Sequence, residues 1–492
     1  MADAVGATER DGARVPFSPE LRWSIVISAL GAIMSLLDST IVNVALHALS
    51  ARFDAPLITI QWVVTSYLLA LAAVTPMTGW AARRVGVKRL YLASVAVFAA
   101  VSLLCGLAQT IEQLIVLRVL QGAAGGVIAS VGQMLLVMRA DRANMARVMS
   151  AVGVPMIIAP IIGPAIGGLL VDGPGWGWIF FINVPVGIVT VLLGHRYLSP
   201  DQGRPGDRLD VAGLLLAASG MVGITYGLAE IGTRGELGSP RALLPILAGA
   251  VLTAGFVVHA LRSAHPLLDL RLYRSRAFGS ASLTTFCSGG AVFGGMILLP
   301  LYLQSARAES AVATGLLLVP QGVGAAVGMY LAGRATDRFG AGATALAGGV
   351  AMSLASAPLA FLDGATSYWL IGAVTLVRGV GIGLITMPAM TAAFRALSPA
   401  AVNDAAPQLN MLQRIGGSVG TAIFAVVLQW RLDEAATQAE RAAAYGTAFW
   451  WVVGVTLAAT VPTLLLMRHE RRAAADGPEA GTTGRTYARN QE

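Results

Sequence analysis

About fourteen stretches of roughly 19 to 27 mostly apolar residues follow one another along the chain, and this repetition limits the fold more than any other feature. Each stretch is long enough to cross a hydrocarbon core of about 30 Å as a tilted helix. The stretches begin near Trp23, Ile58, Leu90, Ile111, Ala146, Trp176, Val211, Leu243, Ala277, Val312, Ala341, Tyr368, Ala405 and Thr447. Because backbone amides in lipid must be satisfied internally, we expect an all-α integral membrane protein with fourteen transmembrane helices.

The composition agrees with this fold class. Of the 492 residues, 56% are hydrophobic and 12% are charged, and the mean hydropathy of +0.70 is far above that of soluble domains. The net charge of +8 comes largely from Lys and Arg in loops on the side of the N-terminus. Cytoplasmic loops carry such an excess, so we expect both termini in the cytoplasm and no nucleic-acid partner.

An internal repeat divides the chain. G-W-A-A-R-R-V-G-V-K-R-L, from Gly79, recurs as G-R-A-T-D-R-F-G from Gly333, about 254 residues later. L-R-V-L-Q-G-A-A-G-G around Arg118 recurs loosely as V-R-G-V-G-I-G around Arg378, and the two arginines are 260 residues apart. Two related six-helix halves are therefore expected, as in transporters with a central site between parallel repeats.

The spacing leaves two helices between the halves. We expect a cytoplasmic segment at residues 1–20, a six-helix bundle at 21–198, a linker with an inserted two-helix hairpin at 199–265, a second six-helix bundle at 266–467 and a disordered cytoplasmic tail at 468–492. The interiors of the two hairpin helices hold no acidic or basic side chain. This predicts a hairpin that faces lipid.

Two ionic residues of the first half, Asp38 and Arg118, lie deep inside predicted helices. Asp38 follows Arg22 by sixteen residues, which places it about 24 Å into the membrane at 1.5 Å per residue. Charged groups at such depth are costly and usually mark an ion or substrate pathway. We expect Asp38 to pair with Arg118 and to handle protons or cations. The alternative for Arg118 is an arginine that only bonds backbone carbonyls and holds helices together.

Four sequence strings together resemble the fourteen-helix drug:proton antiporters of the major facilitator superfamily, the EmrB/QacA type, over roughly residues 20–467. L-D-S-T-I-V-N-V-A-L, from Leu37, is similar to the family's first-helix signature, whose acidic residue maps onto Asp38. The family usually has proline shortly afterwards, where this chain has His47, which predicts an unkinked helix end. R-V-L-Q-G-A-A-G-G resembles the fourth-helix motif associated with proton coupling, beginning at Arg118. The resemblance implies two six-helix bundles plus a two-helix insert.

The other two strings resemble motifs of conformational change. The string from Gly79 is similar to the superfamily's loop between helices two and three. Arg83 stands where the superfamily has aspartate, whereas the corresponding string of the second half has this aspartate as Asp337. The fifth stretch resembles the motif that separates exporters from importers. A topogenic basic loop and simple helix packing are the alternatives. The residues concerned are Gly79, Arg83, Arg84, Gly86, Gly153, Pro155, Pro160, Gly163, Pro164, Gly167, Gly168, Asp337, Arg338 and Arg378.

Amide and aromatic side chains within the apolar stretches predict a cavity for amphipathic compounds, since they offer hydrogen bonds, stacking and cation–π contacts. The candidates are Asn43, Gln61, Trp62, Tyr67, Gln133, Met134, Phe286, Phe293, Gln321, Asn410, Gln413 and Arg414. For each of them helix packing is the alternative. The second half shows no deep carboxylate beside Arg378 or Arg414, so a monocation, a zwitterion or an anion is favoured over a dication.

The sequence contains no phosphate-binding loop, no cluster with metal-ligand spacing and no nucleophile–base arrangement. We therefore expect neither an enzyme nor a cofactor or metal site. The main hypothesis is a monomeric, proton-coupled antiporter of the plasma (inner) membrane that exports lipophilic or cationic drugs. Its expected partners are protons, amphipathic small molecules and membrane lipids. The alternatives are an exporter of an endogenous lipid, antibiotic or metabolite, and a membrane sensor that transports nothing.

Overall fold

A computed structural model describes residues 17–475, apart from 142–143, 202, 204–205, 207, 235–237, 399–400 and 436, and contains helices and no strands over these residues. Thirteen helical segments in this part of the chain are long and apolar enough to cross a membrane. Met145–Asp172 forms a further helix of 28 residues. The predicted number of fourteen transmembrane helices is thus confirmed.

The first half contains nine α-helical pieces and one short 3-10 helix, Thr75–Met77, which together make six spans. The α-helical pieces are α1 (Pro19–Ile41), α2 (Leu46–Phe53), α3 (Leu57–Val74), α4 (Thr78–Val85), α5 (Val87–Gly106), α6 (Ile111–Val137), α7 (Met145–Asp172), α8 (Trp178–Phe181) and α9 (Asn183–Tyr197). Side-chain caps fix two of the starts, because the hydroxyls of Ser18 and Thr110 accept from backbone N–H groups of the first turns of α1 and α6.

The insert and the second half follow in the same manner. The insert is α10 (Val211–Arg234) and α11 (Pro240–Arg262). The second half contains α12 (Arg276–Gly289), α13 (Gly295–Leu301), α14 (Ala311–Phe339), α15 (Ala341–Ser356), α16 (Tyr368–Arg395), α17 (Val402–Glu434) and α18 (Gln438–Ala475). Two π-helical pieces, Gly290–Gly294 and Tyr302–Ala306, flank α13 and complete one span with it and α12.

Helix α1 begins and α18 ends on one side of the bundle, which we call the terminal side; the opposite side is the far side. Arg139, after α6, donates to Glu20 in the first turn of α1 at 3.1 Å and to the carbonyl of Ser199, after α9, at 3.2 Å. Ser280 in α12 lies 3.4 Å from His469 in the last turns of α18. These contacts hold the helix ends of each half together.

The repeat predicted at an offset of 254 is present in the backbone. Gly86 and Gly340 each stand between two helices with positive φ angles of 97° and 89°, a conformation that glycine adopts readily. A distant carboxylate then caps the helix that follows. Asp201 accepts from the backbone N–H groups of α5, and Glu470 accepts from the N–H of Gly342 in α15 at 2.7 Å.

The turn glycine of the first motif is Gly86 alone. Gly79 was predicted in the loop, but it lies in helix α4. It allows close packing there, since a Cβ would stand 2.4 Å from the carbonyl oxygen of Asn403. The loop is short because α4 continues to Val85. The first half therefore approaches the second half through the backbone of α4.

The second repeat has an offset of 257, and the predicted equivalence of Arg118 with Arg378 is wrong. Gly122 packs on the carbonyl of Tyr67, and Gly379 packs in the same way on that of Gln321, which is the residue equivalent to Tyr67 at the offset of 254. In this register Arg378 occupies the place of Gln121, three residues beyond Arg118. The arginine precedes the packing glycine by four residues in the first motif and by one residue in the second. An alignment of the two arginines is therefore three residues out of register with the structure.

The inserted hairpin does more than face lipid. Helix α10 packs against α3 of the first half and α17 of the second half. Trp62 of α3 stacks on Tyr226 of α10 with ring centroids 6.1 Å apart, and Ile231 forms a small apolar cluster with Ala422 and Val426 of α17. An uncharged helix surface suits lipid and protein equally, which is why the sequence did not reveal this contact.

Two helix ends differ from expectation. Helix α1 ends at Ile41, and i to i+3 hydrogen bonds from Asn43, Val44 and Ala45 form a turn before α2, so this end is not continuous. The side chain of His47 lies outside the described part of the structure. Helix α18 extends to Ala475, so residues 468–475 are helical, while 476–492 and 1–16 also fall outside the description.

Candidate substrate and proton site

Asp38 and Arg118 lie side by side in the core of the first half, and neither side chain is exposed. Arg118 Nη1 donates to Asp38 Oδ2 at 2.5 Å, and Arg118 Nε donates to the carbonyl oxygen of Val63 at 3.0 Å. The guanidinium also stands 4.1 Å from the centroid of the Tyr67 ring. The ion pair that depth alone predicted is therefore formed, together with a cation–π contact.

Two amides complete the environment of the carboxylate. Asp38 Oδ1 accepts from Gln121 Nε2 at 3.0 Å and from Asn183 Nδ2 at 2.9 Å. Ser102 accepts from both amides, and Gln121 Oε1 accepts from Arg118 Nη1 at 2.6 Å. Three donors on one carboxylate match the acceptor-only chemistry of its ionised form. A buried ion pair needs such additional hydrogen bonds to offset its loss of hydration.

Sequence reasoning missed Gln121, Asn183 and Ser102. Gln121 could have been found, because it follows Arg118 by three residues and residues at this spacing share a helix face. Asn183 opens α9 and is 145 residues from Asp38, and no local pattern shows that the two meet. Together these residues join α1, α3, α5, α6 and α9 around one carboxylate.

A second polar contact joins the two halves nearer the terminal side. Asn410 Nδ2 of α17 donates to Gln133 Oε1 of α6 at 2.8 Å, and Gln133 Nε2 stands 3.7 Å from the sulfur of Met390 in α16. Both amides are buried. Two predicted candidates thus contact each other across the interface.

The remaining candidates are spread over the two halves. Arg414 and Phe286 are half-buried, and Gln413, also half-buried, presents its backbone carbonyl to Gly289 of α12. Met134 and Gln321 are buried. Asn43, Gln61, Trp62 and Phe293 are exposed. These exposed residues lie in or near the far-side halves of their spans, and the structure does not gather them around Asp38.

Arg378 is sealed inside the second half. Its Nη1 donates to Gln321 Oε1 at 2.8 Å, whereas Nε and Nη2 have no partner among the described residues. A Cβ on Gly295 would stand 2.2 Å from Nη2. The guanidinium therefore fills the space that a larger side chain at position 295 would need, and in the described residues of this half there is no counterpart of the Asp38 network.

Helix α7, which carries the exporter-like motif, contacts both halves. A Cβ on Gly153 would stand 2.6 Å from the sulfur of Met329 in α14. Cβ atoms on Gly163 and Gly167 would meet Thr40 and Ile41 of α1 at 2.2 and 2.8 Å, while Gly168 has nothing within 4 Å. The side chains of Pro155, Pro160 and Pro164 lie outside the described residues.

The terminal side holds the motif residues that carry charge. Arg83 Nη1 of α4 and Asp404 Oδ1 of α17 are 2.5 Å apart, so the arginine that replaces the usual aspartate forms an ion pair between the halves. Arg84 lies over the ring of Trp80. Asp337 pairs within the second half with Arg395 at 3.0 Å, and Arg338 lies over Phe339.

Comparisons with known proteins agree with this architecture. The profile of the Major Facilitator Superfamily matches residues 28–421. A protein of Mycobacterium tuberculosis named "Multidrug resistance protein B homolog" is 35% identical over 410 residues, which cover 83% of this chain and 76% of that protein. "Putative multidrug resistance protein MdtD" of Cronobacter sakazakii is 30% identical over 455 residues, which cover 91% and 94%.

Solved structures are similar in fold. The human organic anion transporter MFSD10 (TETRAN) superposes with a TM-score of 0.63 at 14% identity, over 92% of this chain and 100% of the other. The proton:xylose symporter XylE superposes with a TM-score of 0.62 at 14% identity, over 90% and 94%. These similarities concern the fold alone; the family profile over residues 28–421 and the relatives at 30% and 35% identity show that the chain is a membrane transporter and not an enzyme, and that it belongs to the major facilitator superfamily.

Proposed function

We propose that this protein exports amphipathic, drug-like compounds from the cytoplasm in exchange for protons, by alternating access in the cell membrane with both termini cytoplasmic. The names of the relatives support the class of cargo. The observation that carries the proposal is the buried Asp38 network, because a charged group at this depth is costly to bury and usually marks an ion or substrate pathway.

Asp38 is the proton carrier in this scheme. Protonation would remove the counter-ion of Arg118 and place an O–H donor on one carboxyl oxygen, so the three bonds that Asp38 accepts from Arg118, Gln121 and Asn183 could not all persist. Those bonds join α1, α6 and α9, and the wider network adds α3 through Val63 and α5 through Ser102. A change of protonation would therefore change how these helices pack, which is what coupling to a conformational change requires.

Helix α7 connects that event to the interface between the halves. Its Gly163 and Gly167 lie on α1 within five residues of Asp38, and its Gly153 lies on the second half. Cores are bistable rather than continuously deformable, so a shift of α1 would be passed along α7 as a displacement of the interface. Cargo would bind between the halves, at a level closer to the far side than the Gln133–Asn410 contact.

Purified protein in liposomes with an imposed pH gradient tests this function. We expect fluorescent amphipathic compounds to accumulate on the acidic side, and collapse of the gradient by a protonophore to stop the accumulation. Liposomes that contain heat-denatured protein are the control. Failure to move any compound of a chemically varied panel, including lipids and natural antibiotics, would contradict the proposal.

The ion pair on the terminal side provides a separate prediction. Arg83→Glu and Asp404→Arg should each slow transport about fivefold. Each substitution places like charges on the two sides of the closed interface, and the loss of the attractive ion pair changes the free energy of this closed state by about 1 kcal/mol. The double variant restores opposite charges and should recover most of the rate. Both residues make further contacts, so the comparison of single and double variants is needed to isolate their mutual effect.

Arg84→Glu is the matched control for this experiment. It makes the same change of charge one residue away, where the side chain lies over Trp80. The double variant Arg84→Glu, Asp404→Arg should not recover the transport rate that Asp404→Arg loses. Equal recovery with Arg84→Glu would mean that overall charge, and not the pair, determines the rate.

A further inference from the structure

The second half contributes a positive charge to the interface that no side chain among the described residues balances. Arg414 lies in α17 four residues after Asn410, and residues at this spacing share one face of a helix. Asn410 contacts α6 of the first half through Gln133, so Arg414 also faces the first half, one turn further from the terminal side.

The polar groups in the core of the first half already have partners. The hydroxyl of Tyr67 is 3.1 Å from both the hydroxyl and the carbonyl oxygen of Ser35, and its ring faces Arg118. Arg118 is balanced by Asp38. Among the described residues none forms a hydrogen bond or an ion pair with Arg414, whose side chain remains partly exposed.

An uncompensated cation in a low-dielectric region repels other cations and attracts acceptors. Coulomb's law at separations of about 7 Å and an effective dielectric constant near 20 gives more than a tenfold effect on binding for one unit charge. Guanidinium also presents a planar set of donors that fits a carboxylate or a carbonyl group. The side chain can therefore both exclude one class of cargo and bind another.

We propose that Arg414 selects the charge of the cargo: it binds the carboxylate or carbonyl group of zwitterionic and uncharged amphiphiles and disfavours compounds with net positive charge. This inference rests on the proposed function and names its substrate class. Arg414 lies on the far side of the Gln133–Asn410 contact. A cargo bound to Arg414 would therefore have this amide pair between itself and the terminal side.

A matched pair of dyes tests the inference. A rhodamine methyl ester is a monocation, and the corresponding rhodamine free acid is a zwitterion of nearly the same size. In liposomes the wild-type protein should transport the zwitterion about tenfold faster than the monocation. Arg414→Gln should bring the ratio of the two rates close to one, and Arg414→Lys, which keeps the charge, should leave the ratio near the wild-type value.

Arg431→Gln is the control, since it removes an equal charge from the same helix at an exposed position that pairs with Glu434. It should keep the wild-type ratio. If Arg414→Gln does not insert, equilibrium binding of the two dyes to the wild-type protein gives the answer, with about tenfold tighter binding expected for the zwitterion.

The outcomes separate the inference from the proposed function. Wild-type transport or binding that is equal for both dyes, or a ratio unchanged in Arg414→Gln, overturns the role of Arg414 and leaves export itself intact. Absence of transport for every compound tested would overturn the proposed function, and the selection of cargo with it.

Discussion

Replacement of Asp38 by asparagine should reduce proton-driven efflux to the level of protein-free liposomes. An amide has nearly the shape of the carboxylate but cannot take up and release a proton. The substitution also removes the counter-ion of Arg118, and an unbalanced buried charge costs about 3–5 kcal/mol. Loss of transport could thus follow from loss of fold, and the measurement needs a variant that separates the two.

The double variant Asp38→Asn, Arg118→Gln serves this purpose. It removes both charges, so the core of the first half becomes neutral and the stability should recover. Transport driven by the pH gradient should remain absent, while thermal unfolding and cargo binding approach the wild-type values. Gradient-driven transport at the wild-type rate in either variant would remove Asp38 from the mechanism.

Replacement of Gly167 by leucine should abolish transport with the protein still present in the membrane. A Cβ at this position would stand 2.8 Å from the side chain and 3.1 Å from the backbone oxygen of Ile41, so a leucine must push α7 away from α1. Overpacking of this kind costs about 1–3 kcal/mol, which a multi-helix bundle can survive. The displacement of α7 from α1 should nevertheless interrupt the coupling that we propose between Asp38 and the interface.

Gly168 provides a closely matched control, since it is the next residue and a Cβ placed on it would meet no neighbouring atom within 4 Å. Gly168→Leu adds the same side chain to the same helix on an open face and should export normally. We expect the two variants to differ in initial efflux rate at equal abundance. Normal export by Gly167→Leu, or equal losses in both, would show that the contact with α1 is not needed.

The sequence was sufficient for the class of fold because each span carries its own signal. Apolar length predicts a membrane helix without knowledge of its neighbours, and a carboxylate deep in such a helix needs a partner, which led to Asp38 and Arg118. Gly86 and Gly340 could be predicted as turn residues for a similar reason, since the positive φ angle is a local property.

Contacts between distant segments were beyond prediction. Asn183 and Asp38 are 145 residues apart, and Gln133 and Asn410 are 277 apart, so their pairing depends on helix rotations that no short pattern encodes. The hairpin was assigned to lipid because it lacks charge, yet its contact with Trp62 uses aromatic surface. Arg83 was recognised as unusual, and only the three-dimensional arrangement supplies its partner Asp404.

Asp38 is the only buried acidic residue in the part of the chain that the structure describes. At the offset of 257 that the second repeat shows, its place in the second half is taken by Gly295, which lies against Arg378. If each cycle returns one proton on this carboxylate, the driving force sets a ceiling on accumulation. One pH unit, about 1.4 kcal/mol, sustains a tenfold gradient of an uncharged compound. A potential of 100 mV adds about 2.3 kcal/mol, or roughly fiftyfold. With that stoichiometry, a single side chain would limit the steepest gradient of cargo that a cell could maintain with this transporter.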